Sequence, residues 1–506
     1  MRTNILSALA LAGPALSQAV VPERQSTSWN SSFEFTPEQL SDASIPPPLE
    51  SVLKTVLDFE RTQLANGGPS QDHFYSLNET AFDVPTGPGQ IIKVQDVTDP
   101  RPYALPSKTG LSRIIYSTTN INGTLIPASA YVLWPYAPKT FGDDDQDDDT
   151  KDATAAPVVL WTHGTSGWFA NGAPSAHRSL FYGDIVPFAL AHEGYAVVAP
   201  DYAGLGVETS WDETHVPHQY FARHAGAMDG LNALRAARSA FSGQLTDDYA
   251  VMGHSQGGAV AWGITELLAG ASSSSSSSKT SNSSKESWDD VQEGYLGTVA
   301  AAPVSHAFAI PDNVLPWVGQ AIAGIYPTFS PSDWFTPLGE ARLSLFRAVQ
   351  GGQFFSANAL APPSPDHPII NPDWNQSWYA SAYSSLSDAG GLPFKGPVLV
   401  LQGTDDQYVK YDDTVKAIDR TCGPFPGDME LLRVPGAGHF PAMDAARSRW
   451  LRWIEDRFAR RELRNRGCAV STLDSFRPVE SYQQVADSFL QWSGQPQWGY
   501  QLPTAA

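Results

Sequence analysis

Apolar positions along this chain follow two rhythms. Between residues 49 and 65, Leu49, Val52, Leu53, Val56, Leu57 and Leu64 recur at the spacing of one helix face, and Gly67-Gly68-Pro69 ends the pattern. The flanking stretches lack either rhythm. Residues 20–48 are polar and rich in Pro and Ser, which predicts an extended arm, and residues 75–108, broken by Pro and Gly, predict irregular chain. Residues 112–117 and 124–134 are rich in β-branched residues and flank a turn at 120–123 that ends in Asn-Gly, so they predict a hairpin. Short apolar runs then follow at 157–162, 195–200, 249–252, 296–302, 398–402 and 430–434, the last strand predicted. Helical stretches at 178–192, 224–241 and 257–268 separate the first of these runs. Strands buried on both faces read as continuous apolar runs, and their alternation with helices predicts an α/β fold: a mostly parallel, doubly wound sheet with helices on both faces.

One interval breaks the alternation. Residues 303–393 carry Trp317, Tyr326, Phe329, Trp334, Phe346, Phe354, Phe355 and Trp378 among many prolines. A structureless loop of that length is improbable in a compact domain, so it is read as an inserted helical cap whose aromatics form mostly its own core. The resulting division is a leader at 1–19, an N-terminal extension with one helix at 20–110, a core split into 111–302 and 394–466 by the cap, and a C-terminal extension at 467–506. The acidic run 143–152 and the Ser-rich run 272–287 read as solvated surface loops. The acidic run has neither the glycine turn nor the ligand spacing of a calcium loop.

Composition narrows the functional classes. A net charge of −21 over 506 residues argues against nucleic acid, whose phosphates require clustered Lys and Arg. Arg2, the apolar run 5–12 and small residues up to Ala19 have the form of a secretory leader. No other apolar run is long enough to span a bilayer. A secreted, extracellular protein is therefore expected. Sequons at Asn30, Asn78, Asn122, Asn282 and Asn375 fit that route as glycosylation sites. Cys422 and Cys468, the only cysteines, are expected to form a disulfide in an oxidising compartment.

The chemistry centres on Gly253-His254-Ser255-Gln256-Gly257, a G-x-S-x-G pattern between a predicted strand and a predicted helix. A serine in such a sharp turn presents its hydroxyl above the sheet edge, beside the N–H groups that open the helix. It needs a base within hydrogen-bond reach, and the base needs an orienting acid. Candidate acids, Asp405 and Asp406, follow the strand at 398–402, and a candidate base, His439, follows Gly436-Ala437-Gly438 after the last predicted strand. The order nucleophile, acid, base is that of doubly wound hydrolases. The N–H groups of Gln256 and of Thr165, in His163-Gly164-Thr165, are candidates for the oxyanion hole. His254 is read as packing, facing away from the serine. His215, His218 and His224 are read as structural, since no metal motif accompanies them, and neither a metal nor another cofactor is expected. Eight arginines between Arg447 and Arg466 make the final helix basic on one side. A solvated face is the preferred reading, and transient contact with lipid head groups the alternative.

These motifs resemble the α/β-hydrolase superfamily and, more narrowly, the secretory lipase family of fungi and actinobacteria. The resemblance spans residues 111–453. It rests on the hairpin 115–135, Thr162-His163-Gly164-Thr165, Pro200-Asp201-Tyr202-Ala203-Gly204-Leu205-Gly206, the serine turn, the Asp406 turn and Gly438-His439. The family often has Tyr where His254 stands, and no motif of the first hundred residues matches. The spacing of Asp406 from Gly403 resembles the family's acid turn and selects Asp406 over Asp405. The resemblance implies an extracellular carboxyl-ester hydrolase with a helical lid. A small-molecule or lipid ester is the expected substrate and a monomer the expected state. An acyltransferase or a peptidase would share the same first half-reaction, and a catalytically silent binding module would share the fold.

Overall fold

The computed structural model describes residues 34–78, 82–141, 155–273, 287–309 and 314–483. The stretch expected to be a leader, the acidic run, most of the Ser-rich run, and the sequons at Asn30 and Asn282 lie outside them.

Ten strands form one sheet. They are β1 (Ile91–Gln95), β2 (Gly110–Thr119), β3 (Leu125–Trp134), β4 (Ala156–Thr162), β5 (Ala196–Pro200), β6 (Leu245–His254), β7 (Tyr295–Ala301), β8 (Val398–Gly403), β9 (Met429–Val434) and β10 (Cys468–Thr472). Their order across the sheet is β1-β2-β3-β5-β4-β6-β7-β8-β9-β10. From β1 to the β3–β5 pair the strands are antiparallel, and from β5 to β10 they are parallel. The chain therefore reverses its direction of travel across the sheet between β4 and β6. In open α/β sheets ligands bind outside the carboxyl ends of the strands at such a switch point.

The central strands form where the apolar runs are unbroken: Val158 to Trp161 and Tyr249 to Met252 are fully buried. The helices are α1 (Pro37–Asp42), α2 (Pro47–Thr62), α3 (Pro187–His192), α4 (Arg223–Ala240), α5 (Gln256–Ser273), α6 (Asp289–Gln292), α7 (Leu315–Ile325), α8 (Pro337–Val349), α9 (Gln353–Ala359), α10 (Trp378–Ser387), α11 (Tyr411–Cys422), α12 (Pro441–Ala445) and α13 (Arg447–Phe458). The interval between β7 and β8 holds α7 to α10, packed around buried Trp334, Phe346, Phe355 and Tyr383.

Four local expectations are corrected. The strand at β9 is not the last, because β10 pairs beside it in parallel, Cys468 opposite Met429. β10 alternates between exposed and half-buried positions, with Val470 68% exposed, so it has no apolar run to betray it. Part of the stretch read as irregular forms β1, another edge strand. Part of the arm read as extended forms α1, whose capping box is made by Thr36 and Gln39. Within 178–192 only α3 is an α-helix: Leu180, Phe181 and Gly183 have positive φ, which breaks a helix.

Cys422, at the end of α11, is bonded to Cys468, the first residue of β10. The bridge holds an edge strand that buries little of its own surface. Chain entropy for a 46-residue separation puts its contribution at about 4 kcal/mol at most. Cys468→Ser is expected to lower the unfolding free energy by about 2–4 kcal/mol in a guanidinium titration, with hydrogen exchange rising first in β10. An unchanged midpoint would remove the stapling role.

Candidate active site

The serine turn is built by steric exclusion. Ser255 has φ 61°, a left-handed conformation that non-glycine residues seldom adopt. Its N–H donates to the carbonyl of Ala301 on β7 (2.9 Å), and its carbonyl accepts from the N–H of Ala259 in α5 (3.1 Å). A Cβ at position 253 would overlap the Gly257 carbonyl, and one at position 257 would overlap the Thr162 carbonyl. Glycine at 253 lets β6 and α5 pass this closely, and glycine at 257 lets the first turn of α5 lie against the end of β4. α5 starts at Gln256, so that residue's N–H belongs to the first helical turn, which has no carbonyl one turn back to bond.

Asp406 and His439 come together from the loops after β8 and β9. His439 Nδ1 lies 2.7 Å from Asp406 Oδ2, and both residues are buried. The other carboxylate oxygen, Oδ1, accepts the N–H groups of Tyr408 (2.9 Å) and Val409 (2.8 Å). Gln402 Nε2 donates to Oδ2 at 3.0 Å. Burial pushes the Asp406 carboxyl up, but adjacent His439 and the two N–H bonds outweigh it and hold the group below the usual carboxylate range. Asp405 is exposed and accepts from the Thr404 hydroxyl at 2.8 Å.

Ser255 and His439 open into one cavity of about 340 Å³, lined also by Thr165, Tyr220, Trp317 and Phe354. That volume is in the range of small-molecule sites. The Thr165 hydroxyl lies 2.7 Å from the Tyr220 hydroxyl. Gly164 comes within van der Waals distance of Ser255, where a Cβ would stand 3.2 Å from the Ser255 Cβ and would overlap the Tyr182 hydroxyl.

His254 is packed, as expected, but it does more than fill space. Its Nδ1 is 2.7 Å from the Tyr182 hydroxyl, its Nε2 is 3.1 Å from the His439 carbonyl oxygen, and its ring centre is 4.5 Å from that of His439. Burial, then the neighbouring His439, keep His254 far below the ordinary imidazole range, so it is neutral. The Tyr182 O–H then donates to Nδ1, and Nε2–H donates to the His439 carbonyl. The Tyr182 hydroxyl also abuts Gly164, where a Cβ would overlap it. One buried relay thus ties the loop after β4 to the backbone of His439. Tyr182, Tyr220 and Gln402 had no motif of their own. Tyr182 and Tyr220 are found only through partners distant in sequence, 72 and 55 residues away, and Gln402 only through the turn that folds Asp406 back onto its own strand.

The remaining histidines are held by protein groups outside the Ser255–His439–Asp406 cluster. His215 contacts the Glu208 carbonyl (3.1 Å), His218 the Ala203 carbonyl (3.1 Å) and His224 the Glu266 carboxylate (2.7 Å). His218 Nε2 also lies 3.3 Å from Gln256 Nε2, beneath the serine turn. On the basic helix and just beyond it, Arg447, Arg449, Arg460, Arg461 and Arg466 are paired with Asp184, Glu430, Asp248, Asp456 and Asp428, respectively. Trp450 and Ile454 of the same helix are fully buried in the core. Asn78, Asn122 and Asn375 are exposed. Among the described residues no helix is long and apolar enough to cross a membrane.

Comparison with solved structures gives the same architecture. Candida antarctica lipase A in its closed state superposes with a TM-score of 0.56 at 15% identity, over 79% of this chain and 88% of that one. The rice cell wall degrading esterase LipA from Xanthomonas oryzae gives 0.52 at 17% identity, over 73% and 100%. A protein from Legionella pneumophila gives 0.51 at 16% identity, over 71% and 91%. At these identities the likeness is one of fold. No curated protein matches the chain. The model of the alpha/beta hydrolase family matches residues 158–451, from β4 through the serine turn to α13, and with more than half its length so matched the chain belongs to that family.

Proposed function

We propose that this α/β hydrolase is a secreted serine carboxyl-ester hydrolase, a lipase or esterase working through an acyl-enzyme. Ser255 Oγ attacks the ester carbonyl while His439 Nε2 takes its proton. Asp406, bonded to Nδ1, keeps the proton-accepting nitrogen turned to the serine and stabilises the imidazolium. The N–H groups of Gln256 and Thr165 receive the negative charge that develops on the carbonyl oxygen. His439 returns the proton to the leaving alcohol. Water, deprotonated by the same imidazole, then releases the carboxylic acid and restores Ser255. The observation that carries this reading is that Ser255 and His439 share one cavity while His439 Nδ1 sits 2.7 Å from a carboxylate. The leader at the N-terminus, the sequons and the Cys422–Cys468 bridge support secretion.

A fluorophosphonate probe is expected to label the purified chain once, at Ser255, and to abolish hydrolysis of p-nitrophenyl acetate in proportion. Peptide mapping of the labelled protein checks it. Labelling elsewhere, or full esterase activity after labelling, would overturn the proposal. Product analysis with added alcohols and a parallel amide panel separates hydrolysis from acyl transfer and from peptidase activity.

A further inference from the structure

Helix α2 lies outside the stretch matched by the family and carries no motif, yet its last turn grips the wall of the catalytic cavity. Its apolar side, Leu53, Val56, Leu57 and Phe59, is buried. Past that face, Glu60 reaches into the first turn of α9. Its Oε2 accepts the N–H of Gly352 (2.8 Å), and its Oε1 accepts the N–H groups of Phe354 (2.8 Å) and Phe355 (3.0 Å). Gly352, at the N-cap position of α9, has no side chain with which to cap the helix. A Cβ there would press on the Glu60 carboxylate. Glu60 thus satisfies the orphan donors that a serine or aspartate would normally satisfy locally. The next residue, Arg61, donates from Nη2 to the carbonyl of Val349 (3.1 Å), the last residue of α8. Two adjacent side chains of α2 therefore fasten both sides of the corner at 349–355.

That corner is a partition. Gln353 and Phe354 line the catalytic cavity on one side. On the other they line a second cavity of about 40 Å³, walled by Leu57, Glu60, Ser166 and Phe181. Phe354 is the large apolar side chain common to both. Where Phe354 stands is decided by where α9 begins, and that is set by Glu60 and Arg61.

We propose that Glu60 and Arg61 are positioning residues for substrate specificity: they hold Phe354 as the end wall of the catalytic cavity, and so set the longest ester substituent that fits. The proposal rests on the ester-hydrolase reading above. If the wall retreats, the second cavity becomes an extension of the first. Long substituents gain room, while short ones gain nothing.

The test uses the full chain, with active sites titrated by fluorophosphonate, and two substrate series. One is p-nitrophenyl esters from acetate to palmitate, and the other is acetates of straight-chain alcohols of rising length. Phe354→Ala is expected to raise the ratio of kcat/KM for long over short members at least tenfold in one series, the discrimination an apolar pocket makes for about one methylene. Glu60→Gln, which places an amide N–H against backbone donors, is expected to move the ratio in the same direction by a few-fold. The double variant is expected to match Phe354→Ala alone, because Glu60 acts through Phe354. If Glu60→Gln does not fold, Arg61→Gln takes its place in the cycle. Unchanged ratios in both series, or strictly additive effects in the double variant, would overturn the proposal. A wild-type chain that neither labels nor hydrolyses any ester would instead overturn the underlying activity.

Discussion

Ser255→Ala is expected to lower kcat on an activated ester by about 10⁵- to 10⁶-fold, the loss found when the serine of such a system is removed. The geometry makes the experiment clean. Alanine loses only the hydroxyl, and at φ 61° its Cβ meets the same backbone that the serine Cβ meets. The N–H bond to Ala301 and the start of α5 at Gln256 do not depend on the side chain. The fold should survive within about 1 kcal/mol. KM for a small ester should change little, because the cavity walls remain. A residual rate above that of water is expected, since the donors of the proposed oxyanion hole and the substrate site are untouched. Steady-state rates at matched folded concentration, verified by circular dichroism, decide it. A fall of less than tenfold would mean that the attacking group is elsewhere.

Much of the sheet was legible because its central strands are buried on both faces and so read as unbroken apolar runs: β4, β5, β6 and β8 stand where the pattern put them. β1 and β10 were not legible for the complementary reason. Edge strands bury half their residues at best, and the remaining positions look like loop. The proposed nucleophile was legible because its turn needs glycine at two fixed offsets, a local steric demand that sequence records. His439 was nominated from chain order, and Asp406 from chain order and its spacing from Gly403; their 2.7 Å separation is a product of two loops 33 residues apart. The partners that hold them left no local trace. Gln402 reaches Asp406 from within β8, a strand otherwise read as core. Tyr182 reaches His254 from a stretch whose positive-φ residues made its helical pattern misleading. Glu60 reaches α9 across 292 residues and carries the look of an ordinary surface glutamate.

Asp406→Asn is expected to lower kcat by about 10⁴-fold at neutral pH, and the surrounding hydrogen bonds say why a near-isostere should fail so badly. The N–H groups of Tyr408 and Val409 both point at Oδ1, so in the variant this corner must hold the amide oxygen. The amide nitrogen is then forced into the place of Oδ2, where Gln402 Nε2 already donates and where His439 Nδ1–H is expected to donate. Two donors meet a third. The relief is for His439 to lose its Nδ1 proton and carry it on Nε2, which cannot then take a proton from Ser255. The same substitution should change stability in a pH-dependent way. The carboxyl of Asp406 is held below its ordinary value, so its contribution is present above the unfolded value near pH 4 and is lost as pH falls through the lower folded value. Chemical denaturation of wild type and variant should therefore diverge at pH 7 and draw together as pH is lowered below about 4. A variant that keeps a tenth or more of wild-type kcat, or a stability gap that is flat in pH, would mean that another carboxylate orients His439. Asp405 would be the first to examine, since it shares the turn and faces solvent.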